Sequence, residues 1–265
     1  MTLAVTLRPR SSVALTDFAV RVLAGVVILL VWEVLARLWA PPFVARPSGI
    51  AQAFPVVLAD PAFWVAAKAT LGAVFYGLGI AFVIGTIIGV GIGRIRAIDR
   101  MTSIYISGFF AMPLTAILPL VSLWFGYTAD ARLATVVFAC FFSIVTNVAD
   151  GARAVPPDYI EVSRSFRGGA LSRLFDVILP ASVPYILAGL RLAAGRALIG
   201  AVVAEFFVSI PGLGFLILFQ ARSFKHNEAM VAVVLLACAG VLFEIALRQI
   251  TARWLPWYRR GDTVG

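Results

Sequence analysis

Six long runs of mainly apolar residues constrain this chain more than any other feature of its sequence. They span approximately residues 19–38, 69–92, 102–125, 132–149, 184–207 and 229–250. A helix needs about 20 such residues to cross the hydrocarbon core of a bilayer. The sequence therefore predicts an all-α membrane protein with about six transmembrane helices.

The composition excludes a soluble domain. Hydrophobic residues make up 62% of the 265 residues and charged residues only 13%, whereas a soluble domain typically has about 25% charged residues. The net charge of +9 would suggest nucleic acid in a soluble protein. No segment outside the apolar runs is long enough to fold into a basic binding domain, so we expect no nucleic-acid partner.

The distribution of lysine and arginine predicts the orientation in the membrane. With the N-terminus inside, 14 of the 22 basic residues fall on the cytoplasmic side, as the positive-inside rule requires. Both termini are then cytoplasmic. We expect one transmembrane domain over residues 1–265, with a cytoplasmic tail at 1–18, an extracytoplasmic interfacial segment at 40–67 and a cytoplasmic loop at 151–182.

Small residues recur every four positions along the second apolar run. They are Gly77, Ala81, Gly85, Gly89 and Gly93. This period places them on one helix face, where another backbone can approach closely. Static packing within the subunit and packing that shifts during a transport cycle are both compatible with the pattern.

Two kinds of residue within the apolar runs suggest a pathway. Pro113 and Pro119 interrupt the backbone hydrogen bonds of the third run, which at membrane depth requires cover by protein or a water-filled cavity. Arg196 and Glu205 place charge within the fifth run, at a cost of several kcal/mol. Arg196 needs a carboxylate, carbonyl groups or an aqueous cavity. For both charges, a structural ion pair or cap and contact with an anionic substrate stay open.

The cytoplasmic loop at 151–182 has the pattern of a helix, a turn and a second helix. Asp158 is placed to cap a short amphipathic helix over 159–167, and Gly168-Gly169 is placed to end it in a left-handed turn. A second short helix is expected over 171–178, closed before Pro180. Such an element is either a docking site for a partner or a simple connector.

Within this loop the residues resemble the EAA loop of bacterial ABC-importer permeases. Glu161 and Leu179-Pro180 match the spacing of that pattern, whereas Val162 and Ser163 replace its two alanines. The glycine position of the family holds Arg167, and Gly168 follows it. The resemblance implies contact with the ATPase subunit through Glu161, Ser163, Arg164, Arg167, Gly168, Gly169, Leu179 and Pro180.

Further blocks along the chain resemble the nitrate/sulfonate/taurine-type branch of these permeases. They include Met112-Pro113, Leu118-Pro119-Leu120, Trp124-Phe125-Gly126, Asn147 with Gly151, the 184–191 segment, Ala204-Glu205 and Pro211-Gly212-Leu213-Gly214. Many relatives place an arginine at the position of Phe110, so a substrate role of that position does not transfer. The candidate pathway residues are Met112, Pro113, Asn147, Arg196 and Glu205.

The resemblance implies a type I ABC-importer permease fold in a bacterial inner membrane. It also implies a second copy of the permease, two ATPase subunits, an extracytoplasmic substrate-binding protein and surrounding lipid as partners. The sequence agrees that ATP is hydrolysed elsewhere, because a Walker A loop needs Gly-Lys and the only lysines, Lys68 and Lys225, follow Ala67 and Phe224. We expect no catalytic residue, no metal and no cofactor in this chain, with ATP and Mg²⁺ on the partner ATPase.

The transported solute is the least constrained expectation. The branch resemblance implies a small organic or inorganic anion of the sulfonate, nitrate or aromatic carboxylate type, moved by alternating access. A pyrimidine-type vitamin precursor is the main alternative. A stand-alone secondary transporter is a third hypothesis, although the sequence shows neither of its usual features, inverted repeats or paired midplane ionisable groups.

Overall fold

The computed structural model describes residues 10–41 and 43–254. All regular secondary structure in these residues is helical. In chain order the helices are α1 Arg10–Leu38, α2 Pro47–Ala59, α3 Pro61–Arg94, α4 Arg96–Ala111, α5 Leu114–Phe125, α6 Ala129–Arg153, α7 Pro157–Ser165, α8 Ala170–Ser172, a π-helical stretch Arg173–Ile178, α9 Leu179–Val208, α10 Leu213–Arg222 and α11 His226–Trp254. The predicted all-α fold is confirmed.

Five of these helices are long and apolar enough to cross a bilayer: those that contain the first, second, fourth, fifth and sixth predicted runs. The third run is not one helix. It divides into α4 and α5, which meet at an angle of 101° and satisfy the criterion for a span only as a pair. Pro113 stands at the break, before the first residue of α5, whereas Pro119 lies within α5 without interrupting it. The predicted break is therefore real, and the first of the two prolines marks it.

Helices α3, α6 and α9 form the centre of the bundle. The small residues of α3 face α6, and a Cβ at Gly77 would lie 2.5 Å from Val136 Cγ1, while one at Gly93 would lie 2.5 Å from the Ala149 carbonyl oxygen. Ala81, between them, is fully buried. The four-residue period thus marks a close helix contact within the subunit, since larger side chains there would separate the two backbones.

A second apolar cluster joins α2 to α3, α10 and α11. Ile50 and Val57 of α2 are buried against Phe63, Leu213 and Val231. The predicted interfacial segment at 40–67 is helical over Pro47–Ala59, but its last seven residues belong to the long helix α3. Asp60 begins α3, since its side chain accepts a hydrogen bond from the Ala62 amide at 2.8 Å.

Helix α1 lies at the edge of the bundle and presents apolar side chains outward along most of its length. Polar contacts to Ser48 attach it to α2: Glu33 accepts hydrogen bonds from the Ser48 amide at 2.9 Å and the Ser48 hydroxyl at 2.7 Å, and Arg37 donates to the Ser48 hydroxyl at 3.3 Å. Residues 10–18 of the predicted tail are helical and continuous with α1. Residues 1–9, like the C-terminus after residue 254, lie outside the described residues.

The basic residues separate into two groups along the bundle. Arg94 and Arg153 lie at one end, where Arg94 donates to the Ala152 carbonyl at 3.2 Å. At the other end lie Arg132, Arg46 and Lys225, the last within 3.5 Å of Glu228. The grouping follows the sides that the charge distribution predicts. Because the termini are outside the described residues, their cytoplasmic location stays a prediction.

Candidate translocation pathway and coupling loop

Arg196 of α9 lies in a cavity between α4, α6 and α9. The cavity has a volume of about 230 Å³ and is lined by Phe109, Phe110, Met112, Leu114, Phe138, Ala139, Phe142, Arg196 and Ile199. The Arg196 Cζ atom stands 4.1 Å from the centroid of the Phe110 ring. This is a cation–π contact, which partly offsets the cost of removing a guanidinium from water.

No carboxylate within the described part of the chain pairs with Arg196. Of the environments that the sequence left open, the structure shows the cavity together with an aromatic face. Phe110 thus faces the one arginine among the residues that line this cavity. The guanidinium edge remains available to an anion.

The break between α4 and α5 forms part of this cavity. Met112 adopts an extended conformation, with φ −69° and ψ 131°, and its amide donates to the Phe109 carbonyl at 3.2 Å. Met112 and Leu114 line the cavity, and Pro113 connects them. The structure therefore brings Met112 and Arg196 to one cavity, with Pro113 between two of its lining residues. Their role in a pathway stays a prediction.

Asn147 lies elsewhere, in the contact between α6 and α9. Its side-chain amide donates to the Ser143 carbonyl at 2.8 Å. A Cβ at Gly189 would lie 2.8 Å from the Asn147 Cβ, so the two helices are tightly packed at this point. Asn147 does not line the cavity that contains Arg196.

Glu205 also lies apart from the cavity and is fully buried. Its carboxylate accepts hydrogen bonds from Arg132 Nη1 at 2.9 Å, from the Thr70 hydroxyl at 2.8 Å and from the Gly214 amide at 2.7 Å. The Thr70 hydroxyl in turn accepts a hydrogen bond from the Leu213 amide at 2.8 Å. These bonds satisfy two free N–H groups in the first turn of α10, as a helix cap does. Of the two alternatives for Glu205, the structure shows the ion pair and the cap. A role of Glu205 in the pathway stays untested.

Arg132 is a site residue that the sequence analysis did not single out, although the predicted topology puts it on the outer side of the membrane. It sits in the first turn of α6 with 8% of its surface exposed, and it also donates to the Pro211 carbonyl at 2.9 Å. Its partner Glu205 is 73 positions away in the chain. The pairing could have been suspected from the sequence, because the predicted topology puts both residues at the outer ends of their spans and their charges are opposite.

The network leaves little space around the turn before α10. A Cβ at Gly212 would overlap the Glu205 carboxylate, and one at Gly214 would lie 2.7 Å from the Val202 carbonyl oxygen. Glycine is required at both positions by this close approach. The block Pro211-Gly212-Leu213-Gly214 therefore packs closely against the buried Glu205 carboxylate.

The loop at 151–182, predicted to be cytoplasmic, folds into the expected helix and turn, with two differences. Helix α7 begins after Pro156 without a side-chain cap, so Asp158 lies in its first turn and does not cap it. The left-handed residue is Arg167, with φ 55°, and not Gly168. The Gly168 amide donates to the Ser163 carbonyl at 2.9 Å and the Arg167 amide to the Arg164 carbonyl at 2.8 Å. These are the two bonds of a Schellman motif whose left-handed position is Arg167.

Arg167, at the glycine position of the family pattern, thus adopts a left-handed conformation that glycine adopts at no steric cost. A left-handed conformation costs a residue other than glycine about 1–2 kcal/mol. The turn is reinforced by Arg173, whose Nη1 donates to the Gly168 carbonyl at 2.8 Å. Gly168 itself is needed for space, because its Cβ would lie 2.7 Å from the Ser163 hydroxyl oxygen.

The second short helix does not close before Pro180. Residues Arg173–Ile178 form a π-helical stretch, in which the Leu179 amide donates to the Leu174 carbonyl, and this stretch continues directly into α9. The ring of Pro180 would clash with the Asp176 carbonyl in a regular α-helix. The wider π-helical turns before Leu179-Pro180 accommodate it.

The loop presents an exposed surface on α7 and in the turn that follows it. Glu161, Arg164, Arg167 and Gly169 are exposed, and Phe166 has 84% of its surface exposed. Phe166 lies beside Val162, which is 56% exposed. An exposed charged and apolar surface of this kind is typical of a docking site.

Comparisons with known proteins agree with this architecture. A family model described as "Binding-protein-dependent transport system inner membrane component" matches residues 81–259. The chain is 26% identical to the formylaminopyrimidine transport permease protein ThiX of Halalkalibacterium halodurans, over 88% of this chain and 93% of that protein. It is 26% identical to the taurine transport system permease protein TauC of Escherichia coli, over 88% and 87%.

The fold is similar to that of a solved structure of the MetNI methionine ABC transporter in an inward-facing conformation. The TM-score is 0.63 with 21% sequence identity, over 74% of this chain and 98% of that chain. The type I importer permease fold and the nitrate/sulfonate/taurine-type resemblance are thereby confirmed. The chain belongs to the binding-protein-dependent transport system inner membrane components, the multi-pass permease subunits of bacterial ABC importers.

Proposed function

We propose that this permease subunit forms the translocation pathway for a small organic or inorganic anion, moved by alternating access. The observation that carries the proposal is Arg196, a cation without a carboxylate partner among the described residues, in a cavity beside the broken helix α4/α5. A cation within an apolar span is costly. An anion that binds to Arg196 would offset the cost of its charge while the anion crosses the membrane.

The relatives support two classes of solute. TauC is named for taurine transport and ThiX for formylaminopyrimidine transport. The unpaired guanidinium favours the anion, because a neutral pyrimidine would leave it without a countercharge. The pyrimidine-type vitamin precursor is the second candidate, favoured by the ThiX relationship.

The solute is tested by uptake into proteoliposomes that contain the permease, its ATPase and its binding protein. Labelled taurine, nitrate, benzoate and formylaminopyrimidine are supplied one at a time, with and without ATP. We expect ATP-dependent accumulation of an anion only. Accumulation of formylaminopyrimidine without any anion would reject the proposal in favour of the second candidate.

Arg196 is tested with two variants in the same system. Arg196→Gln removes the charge and is expected to lower anion uptake at least about tenfold, since one hydrogen bond to a charged group contributes about 1.5–3 kcal/mol. Arg196→Lys retains the charge and is expected to retain part of the uptake. Equal uptake by wild type and Arg196→Gln would show that Arg196 is not in the pathway.

We further propose that two copies of this chain work with two ATPase subunits and one extracytoplasmic binding protein. ATP and Mg²⁺ would bind the ATPases, and hydrolysis would be coupled through the surface that contains Glu161, Ser163, Arg164, Arg167, Gly168, Gly169, Leu179 and Pro180. The exposure of Glu161 and Phe166 on α7 supports this role. A carboxylate there can accept charge-assisted hydrogen bonds, which are roughly twice as strong as neutral ones.

Three variants separate the contributions of the loop. Glu161→Ala removes the proposed contact, Gly168→Pro removes the amide that donates to Ser163, and Arg167→Gly keeps the turn while removing the guanidinium. We expect Glu161→Ala and Gly168→Pro to lose ATPase subunits or uncouple hydrolysis from uptake. Normal coupling in both would make the loop a connector. Arg167→Gly then reports whether its guanidinium contacts the ATPase.

A further inference from the structure

The wall that faces Arg196 in the cavity is aromatic. Phe109 of α4 stacks on Phe142 of α6 with their centroids 5.6 Å apart and their planes 14° apart. Phe138 meets Phe142 edge-on at 5.1 Å and Phe109 at 6.4 Å. The three rings form one cluster across the contact between α4 and α6, and all three line the cavity.

The charge of the same cavity comes from one residue. Arg196 is the one charged side chain among its lining residues, and no other lining side chain has a hydrogen-bond donor. Phe110 covers one face of the guanidinium, with Cζ 4.1 Å from the ring centroid. An anion can therefore reach the guanidinium by its edge, where parallel N–H groups suit a carboxylate or sulfonate.

A small inorganic anion fits this cavity poorly. Nitrate or bicarbonate has oxygen atoms on every side and must lose its water to enter, but one guanidinium edge replaces only two of those hydrogen bonds. The remaining oxygen atoms would face lining side chains that have no hydrogen-bond donor. An anion with one charged group and an apolar body satisfies both parts of the cavity.

An aromatic body suits the wall better than an aliphatic one. Aromatic pairs in edge-on or offset-stacked arrangements contribute about 0.5–1.5 kcal/mol beyond the burial of their area. The Phe109, Phe138 and Phe142 cluster already contains both arrangements, and all three residues line the cavity. We infer that the cavity binds an anion in which a carboxylate or sulfonate is attached to a single aromatic ring. This inference rests on the proposed function and narrows its solute class.

The test compares two probes that share a charged group. Binding of labelled benzenesulfonate and methanesulfonate is measured by equilibrium dialysis on the full permease with its ATPase in lipid nanodiscs, without the binding protein. We expect benzenesulfonate to bind at least about tenfold more tightly, and Arg196→Gln to abolish binding of both probes. Partition of benzenesulfonate into the lipid is measured with empty nanodiscs and subtracted.

The aromatic wall is tested with Phe109→Leu and Phe142→Leu. Each is expected to lower benzenesulfonate affinity several-fold while leaving methanesulfonate affinity unchanged. Phe75→Leu is the matched control, because Phe75 pairs with Phe243 in another aromatic contact at 5.8 Å and does not line this cavity. Retention of the ATPase and an unchanged elution volume verify that each variant is folded.

The outcomes separate this inference from the proposed function. Equal affinity for the two probes in the wild type, or unchanged benzenesulfonate affinity in both leucine variants, would overturn the aromatic assignment. If Arg196→Gln still abolished anion uptake in that case, the proposed anion pathway would stand. If neither probe bound and Arg196→Gln transported normally, both proposals would fall.

Discussion

Two charged residues nine positions apart on α9 have opposite surroundings. Glu205 is fully buried and its carboxylate is bonded to Arg132, Thr70 and Gly214. Arg196 is half-buried, faces a cavity and contacts a phenylalanine ring. The difference shows that charge within a membrane span does not by itself indicate a transport role. The partners decide whether the charge holds the fold together or is available to a solute.

The largest effect on stability is expected at the buried pair. Glu205→Ala would leave the Arg132 guanidinium without its countercharge and the Gly214 amide without an acceptor. Removing one partner of a buried pair typically destabilises a protein by about 3–5 kcal/mol. Thermal unfolding in detergent micelles should show a correspondingly lower midpoint.

A double-mutant cycle sharpens this prediction. Arg132→Ala and the double variant Arg132→Ala/Glu205→Ala complete the cycle, and the double variant should be less destabilised than the sum of the singles, because it leaves no unpaired charge. Additive losses would mean that the two side chains do not interact, and the contrast with Arg196 would disappear.

The glycines around Glu205 should show the next largest effect. In Gly212→Ala the new methyl group would overlap the Glu205 carboxylate, which its hydrogen bonds hold in place. Overpacking of this kind costs about 1–3 kcal/mol. The matched control is Gly72→Ala, since a Cβ there meets nothing within 4 Å. Equal unfolding midpoints for the two variants would contradict the close packing around the buried carboxylate.

The spans were predictable from sequence because hydrophobicity over about 20 residues is a local property. The helix partners were not. The pairing of Arg132 with Glu205 joins residues 73 positions apart. The sequence pattern does not predict which helix ends are in contact. The turn of the loop was placed one residue too late because Gly168 is the residue that adopts positive φ most easily, whereas the hydrogen bonds to Ser163 and Arg164 require it at Arg167.

The smallest effect on stability is expected at Arg196, and this prediction tests the comparison most directly. Arg196→Gln removes a cation–π contact with Phe110, which contributes about 0.5–1 kcal/mol at a partly exposed site. It also removes the cost of keeping an unpaired guanidinium within the span, and this gain opposes the loss. The unfolding midpoint should therefore change little, whereas Glu205→Ala lowers it strongly.

Anion uptake is expected to show a large loss in Arg196→Gln even though the complex remains folded. The unfolding midpoint and anion uptake are measured on the same preparations. A large loss of stability in Arg196→Gln would show that Arg196, like Glu205, has a structural role. It would also remove the basis for an anion pathway at this cavity.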